Sequence, residues 1–461
     1  MKLAVDDLPL PTDQRALLTI RPARMTLAVD DLPLPTPEIV IPKPARWISV
    51  WLAALAILIA AAVVRVALPA GFTGVGFDEA LYRDYVIEID KAGLSNYPVI
   101  CQLFLQDQRH PEVVTKLPPT RFFYVFSAWM WKRAAYGDDH AAPPCPTADK
   151  DFTSKDPAII SLHRVSCLFS FLCVIVAGLA ALRMLGPASM LGVMALMAFS
   201  PTQIHMGQHA LIDGFFAFWA MLSLWLLWEN LHRPNQARWL IAYGVVLSLL
   251  VMTKENSFFV CLSFGALLVS NRWTKFGKVT TQLIVATVAG PLLGVSLLML
   301  LAGGLPEFVE IYRLLVSKAS NLTYAIKTGD GPWHRYLVDM LIASPLVLLL
   351  AIGGAFTQLK KKPAYLFLLL FVAFTYLCMC NVRYAMNLRY ATIWDLPICA
   401  FATAQVTSLA GLHKRRQILI ASVALAILCA YGLRQYYIFF VDAGLYELVS
   451  EGLLRAVKIL K

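Results

Sequence analysis

Apolar and polar positions divide this chain into long apolar runs joined by short charged loops. The first run, Trp47 to Leu68, is long enough to cross a bilayer, because about 20 residues rising ~1.5 Å each cover ~30 Å of hydrocarbon. Further runs lie at 159–182, 187–204, 211–231, 238–253, 257–270, 279–302, 336–358, 363–380, 390–410 and 417–434. The pattern predicts an all-α polytopic membrane protein with about 11 transmembrane helices (roughly 10–13). The runs meeting at 254–256 read either as two thin spans or as a re-entrant hairpin. Residues 70–157 are of mixed charge and include an aromatic-rich amphipathic piece at 121–131. They predict a large first extracytoplasmic loop containing interfacial helices. Beyond 435, Leu445, Leu448, Val449, Leu453 and Val457 recur at helical spacing, which predicts an extracytoplasmic amphipathic helix over 435–461. The first 46 residues are Pro-rich and repeat Leu-Ala-Val-Asp-Asp-Leu-Pro-Leu-Pro-Thr at 3–12 and 27–36. They read as a disordered cytoplasmic tail, in which Met25 is an alternative start. No secretory signal is read, since the first apolar run is too long for one. The expected organisation is a tail over 1–46, a transmembrane domain over 47–434 and the helix over 435–461.

Charge orients these spans. Arg183, then Arg233 and Arg238, then Arg272, Lys275 and Lys278, then Lys360, Lys361 and Lys362, then Lys414, Arg415 and Arg416 fall on alternate loops. The positive-inside rule places those loops and the N-terminus in the cytoplasm. Residues 70–157, Lys254, the 303–335 loop, Arg383, Arg389 and the C-terminal tail are then outside. The balance of 40 Lys+Arg against 29 Asp+Glu, a net +11 over 461 residues, reflects these loops and not a nucleic-acid partner. With 59% of residues apolar and 15% charged, the chain is not an ordinary soluble enzyme, a disordered chain or a disulfide-stapled mini-protein. Of nine cysteines, those in apolar segments read as small core residues. Cys101 and Cys145 fall in a polar stretch and would pair only in an oxidising compartment.

The same topology gathers the unusual polar residues on one face. Asp78 and Glu79 open the first outer loop, Asp213 sits at the outer end of a span, and Lys254 and Glu255 interrupt two apolar runs. Arg383, Arg389 and Tyr390 cap another outer hairpin. An ionisable residue at a span costs about 2.5–3.5 kcal/mol on insertion scales, so it is a functional candidate by default. Snorkelling to the interface is the plain alternative for the two arginines. It does not serve Asp213, which is followed by aromatics and needs a partner or a task. Acids and bases at headgroup depth suit group transfer from a membrane-embedded phospholipid donor: a carboxylate takes the acceptor's proton and cations hold the phosphate.

Seven stretches then resemble, in order, the landmarks of the GT-C superfamily of polyprenyl-phosphate-sugar-dependent glycosyltransferases, which includes protein O-mannosyltransferases and the lipid A aminoarabinose transferase. They are Asp78-Glu79-Ala80-Leu81-Tyr82-Arg83-Asp84; Lys116-Leu117-Pro118-Pro119; Leu162-His163-Arg164 with Ser200-Pro201; Ala210-Leu211-Ile212-Asp213 with Phe218-Trp219; Thr253-Lys254; Pro332-Trp333 with Tyr336; and Arg389-Tyr390 with Pro397. The resemblance implies a glycosyltransferase that moves a hexosyl or pentosyl group onto an acceptor hydroxyl outside the cell, in a bacterial inner membrane. It implies Asp78 as catalytic base, Glu79 as its support and Asp213 as a second acid. Tyr82, Lys116, Lys254, Arg383, Arg389 and Tyr390 form the implied substrate-binding set. Glu255 departs from the family's usual Gly after Lys. The implied partners are a polyprenyl-phosphate-linked sugar, a lipid, glycan or protein acceptor, and membrane lipids, with no nucleic acid. No cofactor is specified, and a divalent cation is left open.

The rivals are a transporter or lipid-linked-glycan flippase, a ligase of polymeric glycans, and a structural membrane protein. A transporter would place charges nearer the bilayer midplane and show internal repeats. Asp149-Lys150-Asp151 matches D-x-D by chance in a polar insert. His205 and His209 lack a third ligand and read as hydrogen-bonded histidines. Gly71, Gly74 and Gly76 follow no strand and so make no dinucleotide fingerprint. The topology has a direct test: a single cysteine at Thr147 should be labelled by an impermeant thiol reagent added outside intact cells. Protection there would take the acid pair away from the expected face.

Overall fold

The computed structural model describes residues 44–69, 74–110, 112–113, 115–137, 155–319, 321–322, 326, 329–382 and 386–460. The repeated tail, Cys145, the Asp149-Lys150-Asp151 triplet and Arg383 lie outside the described residues. Among the described residues all regular structure is helical. The helices are α1 (Pro44–Ala67), α2 (Phe77–Ala92), α3 (Tyr97–Gln108), α4 (Phe122–Tyr136), α5 (Pro157–Met184), α6 (Pro187–Ala198), α7 (Pro201–Gln208), α8 (Ile212–His232), α9 (Ala237–Val251) and α10 (Ser257–Thr274). They continue as α11 (Thr281–Ala302), α12 (Leu305–Ala319), α13 (Arg335–Ala343), α14 (Pro345–Gln358), α15 (Pro363–Met379), α16 (Asp395–Ala410), α17 (Gln417–Tyr436) and α18 (Ser450–Ala456). Six helical stretches are long and apolar enough to cross a membrane: Trp47–Ala67, Pro157–Met184, Ile212–His232, Thr281–Ala302, Leu388–Ala410 and Lys414–Asp442. The shorter apolar helices are α6, α9, α14 and α15. The chain is a multi-pass membrane protein, and the expected eleven spans rest on these shorter helices as well.

α5 lies at the centre, against α4, α6, α7 and α8. α9 packs along α11 and α8, whereas α10 packs mainly on α15. The two helices meeting at 254–256 thus serve different neighbours. The basic loops come together at one end. Lys362 Nζ donates to the Leu185 carbonyl at 2.8 Å, the Lys278 amide donates to the Leu231 carbonyl at 2.8 Å, and Arg183 pairs with Glu229 at 2.7 Å.

Proline explains why α6 and α7 are two helices. Pro201 has no N–H, so the Met197 carbonyl loses its helical partner. Arg65 of α1, buried, supplies donors there: its guanidinium reaches the Met197 and Ala198 carbonyls at 3.4 and 3.1 Å and Ser170 Oγ at 2.9 Å. A cation placed on the C-terminal carbonyls of α6 is also favoured by the helix dipole. Ser344-Pro345 separates α13 from α14 in the same way.

α2, α3 and α4, from the 70–157 stretch, pack on one another, and α12 joins them through α3. α12 packs on α3 and α11 and leaves Leu305, Val309 and Val316 exposed on its apolar face, as an interfacial helix does. The C-terminus differs from the sequence expectation. Instead of one amphipathic helix over 435–461, a π-turn (Tyr437–Asp442) follows α17, then an irregular stretch, then the seven-residue α18. Gly444 adopts φ +58°, and the Leu448 carbonyl accepts from the Leu388 amide at 3.1 Å. Leu448 and Leu453 are fully buried. Packing into the domain therefore wins over helical periodicity.

α9 and α11 approach so closely that glycine is required. A Cβ at Gly290 would come 2.7 Å from the Gly244 carbonyl, and one at Gly294 would come 2.6 Å from the Ser248 carbonyl. Ser248 Oγ uses that proximity to donate to the Gly290 carbonyl at 2.7 Å. Gly294→Leu should lower stability by about 1–3 kcal/mol, read as a lower unfolding midpoint in detergent. Gly265→Ala, with nothing within 4 Å of its added Cβ, should leave the midpoint unchanged or slightly raised.

Candidate active site

The site forms where the starts of two helices, a 3₁₀ turn and an interhelical link meet, at the end opposite the basic loops. Asp78 and Glu79 occupy the first turn of α2, and Asp213 occupies the first turn of α8. Helix N-termini favour negative charge there. Arg389 sits in a tight 3₁₀ turn (Leu388–Trp394), where Asn387 Oδ1 accepts from its amide at 3.0 Å. Lys254 and Glu255 occupy the link between α9 and α10. The Phe123 amide ties that link to α4 by donating to the Met252 carbonyl at 2.9 Å.

Arg389 joins the acids. One Nη2 lies 3.2 Å from Asp78 and 3.3 Å from Glu447, and Nε lies 3.6 Å from Asp213. Asp213 is also held by Lys254 Nζ at 2.5 Å, and that ammonium lies 3.8 Å from the centre of the Tyr390 ring. Asp213, Lys254 and Arg389 are each at most 4% exposed, while Asp78 and Tyr390 are half-buried. Arg389 Nε and Nη1 are buried without a hydrogen-bond partner among the described residues. Unused donors on a buried guanidinium cost free energy unless an acceptor joins them.

Glu79 has a different setting from its neighbour. It is fully buried and accepts from the Gly76 amide at 2.7 Å and the Ala210 amide at 2.6 Å. His163 Nε2 lies 3.3 Å away and His209 Nδ1 3.5 Å away. Burial alone would push its carboxyl up; the two histidines outweigh that and hold it well below the usual carboxylate range. Glu79 thus fastens the start of α2 to α5 and to the α7–α8 link. Gly76 is required beside it, since a Cβ there would come 2.3 Å from the Tyr446 ring.

Tyr82 is also fully buried; its hydroxyl accepts from Arg121 Nη1 at 2.7 Å. Arg121 in turn grips Glu255 with two hydrogen bonds of 3.0 and 3.1 Å. Burial would raise the Glu255 carboxyl, but Arg121 holds it down. The residue that departs from the family's glycine is therefore a counter-ion for Arg121. Lys116 stands apart from this cluster, paired with Asp107 at 2.7 Å and partly exposed. His205 stacks on Phe440 and its Nε2 lies 3.1 Å from the Tyr446 carbonyl. Among the described residues no three His, Cys, Asp or Glu side chains converge to hold a metal.

Sequence reading assembled Asp78, Glu79, Asp213, Lys254, Arg389 and Tyr390 in one place. It gave no role at this site to Arg121 or Glu447, named His163 only within a landmark, and took His209 for a hydrogen-bonded histidine. Arg121 carried a weak signal, as a polar residue at the edge of an apolar run. Glu447 carried none, because it lies in an exposed-looking tail.

A family model described as dolichyl-phosphate-mannose-protein mannosyltransferase matches residues 149–313, about a third of the chain. No curated protein sequence matches. Among solved structures, the Archaeoglobus fulgidus oligosaccharyltransferase AglB in complex with an inhibitory peptide and a dolichol-phosphate is 12% identical with a TM-score of 0.54, covering 86% of this chain and 56% of that one. An Archaeoglobus fulgidus oligosaccharyltransferase in the apo form is 11% identical with a TM-score of 0.53, covering 83% and 55%. ArnT from Cupriavidus metallidurans in the apo state is 12% identical with a TM-score of 0.48, covering 89% and 76%. The chain thus spans about half of the oligosaccharyltransferase. The resemblance to the GT-C superfamily read from the acid pair and the landmarks after it is borne out at the level of fold.

The Asp213–Lys254 pair is buried, so each charge depends on the other. Lys254→Met alone should destabilise by about 3–5 kcal/mol by leaving an acid buried beside one long contact. Adding Asp213→Asn should restore most of that loss. Thermal unfolding of the two single variants and the double variant measures the coupling, and simple additivity would contradict it.

Proposed function

We propose that the chain is a membrane glycosyltransferase that moves a sugar from a polyprenyl-phosphate donor to an acceptor hydroxyl. The observation that carries this reading is Arg389: a buried guanidinium with unused donors, set between Asp78 and Asp213. The family match and the shared fold with a protein solved with dolichol-phosphate support it. In this reading the donor phosphate lies on Arg389, with Tyr390 and Lys254 beside it, and its prenyl chain runs among the spans. The acceptor hydroxyl faces Asp78.

Asp78 takes the hydroxyl proton as the acceptor oxygen attacks the anomeric carbon. The bond from that carbon to the phosphate oxygen breaks, and the phosphate leaves with the electron pair. Arg389 stabilises the charge that grows on it. Lys254 pairs with Asp213 and fixes its place, and Asp213 orients the sugar or acceptor. Glu79 holds the turn that carries Asp78 and touches no substrate. The transferred group is a hexosyl or pentosyl unit, and the acceptor is a lipid, glycan or protein. The site opens to the extracytoplasmic face of a bacterial inner membrane, since the basic loops mark the opposite end.

Asp78→Asn keeps the size and a hydrogen bond but cannot accept the proton. It should fold normally and bind the donor, yet lose about 100-fold or more in single-turnover rate. Retention of near wild-type transfer would move the base to Asp213. Dispensability of both acids would sink the reading in favour of a transporter.

A further inference from the structure

The C-terminal segment contributes a charge to the site that the transfer chemistry does not need. Residues 443–449 leave the π-turn after α17 and run back to the 3₁₀ turn. The Leu448 carbonyl is fixed by the Leu388 amide, and the Tyr446 ring packs against Gly76. Between them Glu447 points at Arg389. Its carboxylate lies 3.3 Å from Nη2 and accepts from Asn387 Nδ2 at 2.5 Å.

Three carboxylates (Asp78, Asp213 and Glu447) face two cations, Arg389 and Lys254. Glu79 is taken up by its amides and histidines, and Glu255 neutralises Arg121. A phosphate diester brought to Arg389 adds a further negative charge, and the monoester left after transfer adds another. One carboxylate must yield. Asp213 is buried and clamped at 2.5 Å on Lys254. Asp78 stands on the first turn of α2, with its own task in transfer. Glu447 has the most exposed side chain of the three, 26% against 18% and 3%. It also belongs to a segment outside the helical frame. Burial also pushes its carboxyl above the usual range, despite Arg389.

We propose that Glu447 is an internal counter-ion that holds the phosphate-binding edge of Arg389 and is displaced by the donor's phosphate, so that the segment 443–449 sets donor affinity. This rests on the donor reading above. Displacement frees Nη2, which together with the unused Nη1 on the same edge can present a two-donor fork to a phosphate. It also loosens the segment, since Glu447 is one of its anchors.

The test uses the full chain in detergent, with farnesyl phosphate as the probe and farnesol as its uncharged control, by titration calorimetry. Glu447→Gln keeps an acceptor for Asn387 and removes the charge. It should bind farnesyl phosphate about tenfold more tightly, equivalent to ~1.4 kcal/mol, with farnesol unchanged. Weaker or equal phosphate binding would overturn the proposal, as would an equal gain for farnesol. Hydrogen exchange on the wild-type chain gives a second reading that no variant can spoil. Amides of 445–449 should exchange faster with farnesyl phosphate than with farnesol, and slower exchange would overturn the displacement. A wild-type chain that binds no farnesyl phosphate would remove the donor reading itself, and the proposal with it. Wild-type binding without a gain in Glu447→Gln would remove only the role of Glu447.

Discussion

The site depends on one constraint: a guanidinium buried at the end of a helical bundle must be neutralised, and no single residue does it. Arg389 lies within ion-pair distance of acids from three distant parts of the chain, the start of α2, the start of α8 and the C-terminal segment. A charge in a low-dielectric setting is expensive unless paired and hydrogen-bonded. Each of these elements is therefore held in position by the same requirement. The pairing is also incomplete, because Nε and Nη1 make no hydrogen bond among the described residues. A site that is electrostatically satisfied yet short of acceptors is suited to an anionic ligand with several oxygens.

A second tier of buried polar contacts keeps the acids apart in role. Asp78 and Glu79 are adjacent in sequence but are turned to opposite purposes by the helix that carries them. Glu79 takes amides from Gly76 and Ala210 and lies between His163 and His209. Asp78 remains half-open toward Arg389. Arg121, gripped by Glu255 and Tyr82, is a parallel case: a buried cation whose neighbours satisfy it fully and which is left with a structural task. Neutralised pairs of this kind fix geometry more than they add stability.

Breaks in the helices make this arrangement reachable within a membrane. Backbone groups freed by proline need partners where water is scarce. Arg65 provides them at the α6–α7 break. α7 starts at that break and ends at Gln208, and the extended link at His209–Leu211 that follows brings the Ala210 amide to Glu79 and the first turn of α8 to Arg389. The helix discontinuities and the charged cluster are parts of one solution.

The sequence by itself determined the all-helical membrane class, the basic end and the face on which Asp78, Asp213, Lys254, Arg389 and Tyr390 gather. Apolar run length and loop charge are local quantities, set by bilayer thickness and by the cost of moving cations, so they survive without knowledge of packing. Which of those residues touch was decided only by the tertiary structure. Glu79 and Tyr82 share the motif with Asp78, expected as its support and as a substrate contact, and burial gave them fixed partners within the protein. Lys116 looked like a phosphate ligand and is paired instead with Asp107. The C-terminal stretch had helical periodicity, but a buried Leu448 and a positive φ at Gly444 overrode it and delivered Glu447 to the site. Ion pairing across hundreds of residues depends on where helices cross and end, and that is fixed by side-chain volumes such as those between α9 and α11, which no linear pattern encodes.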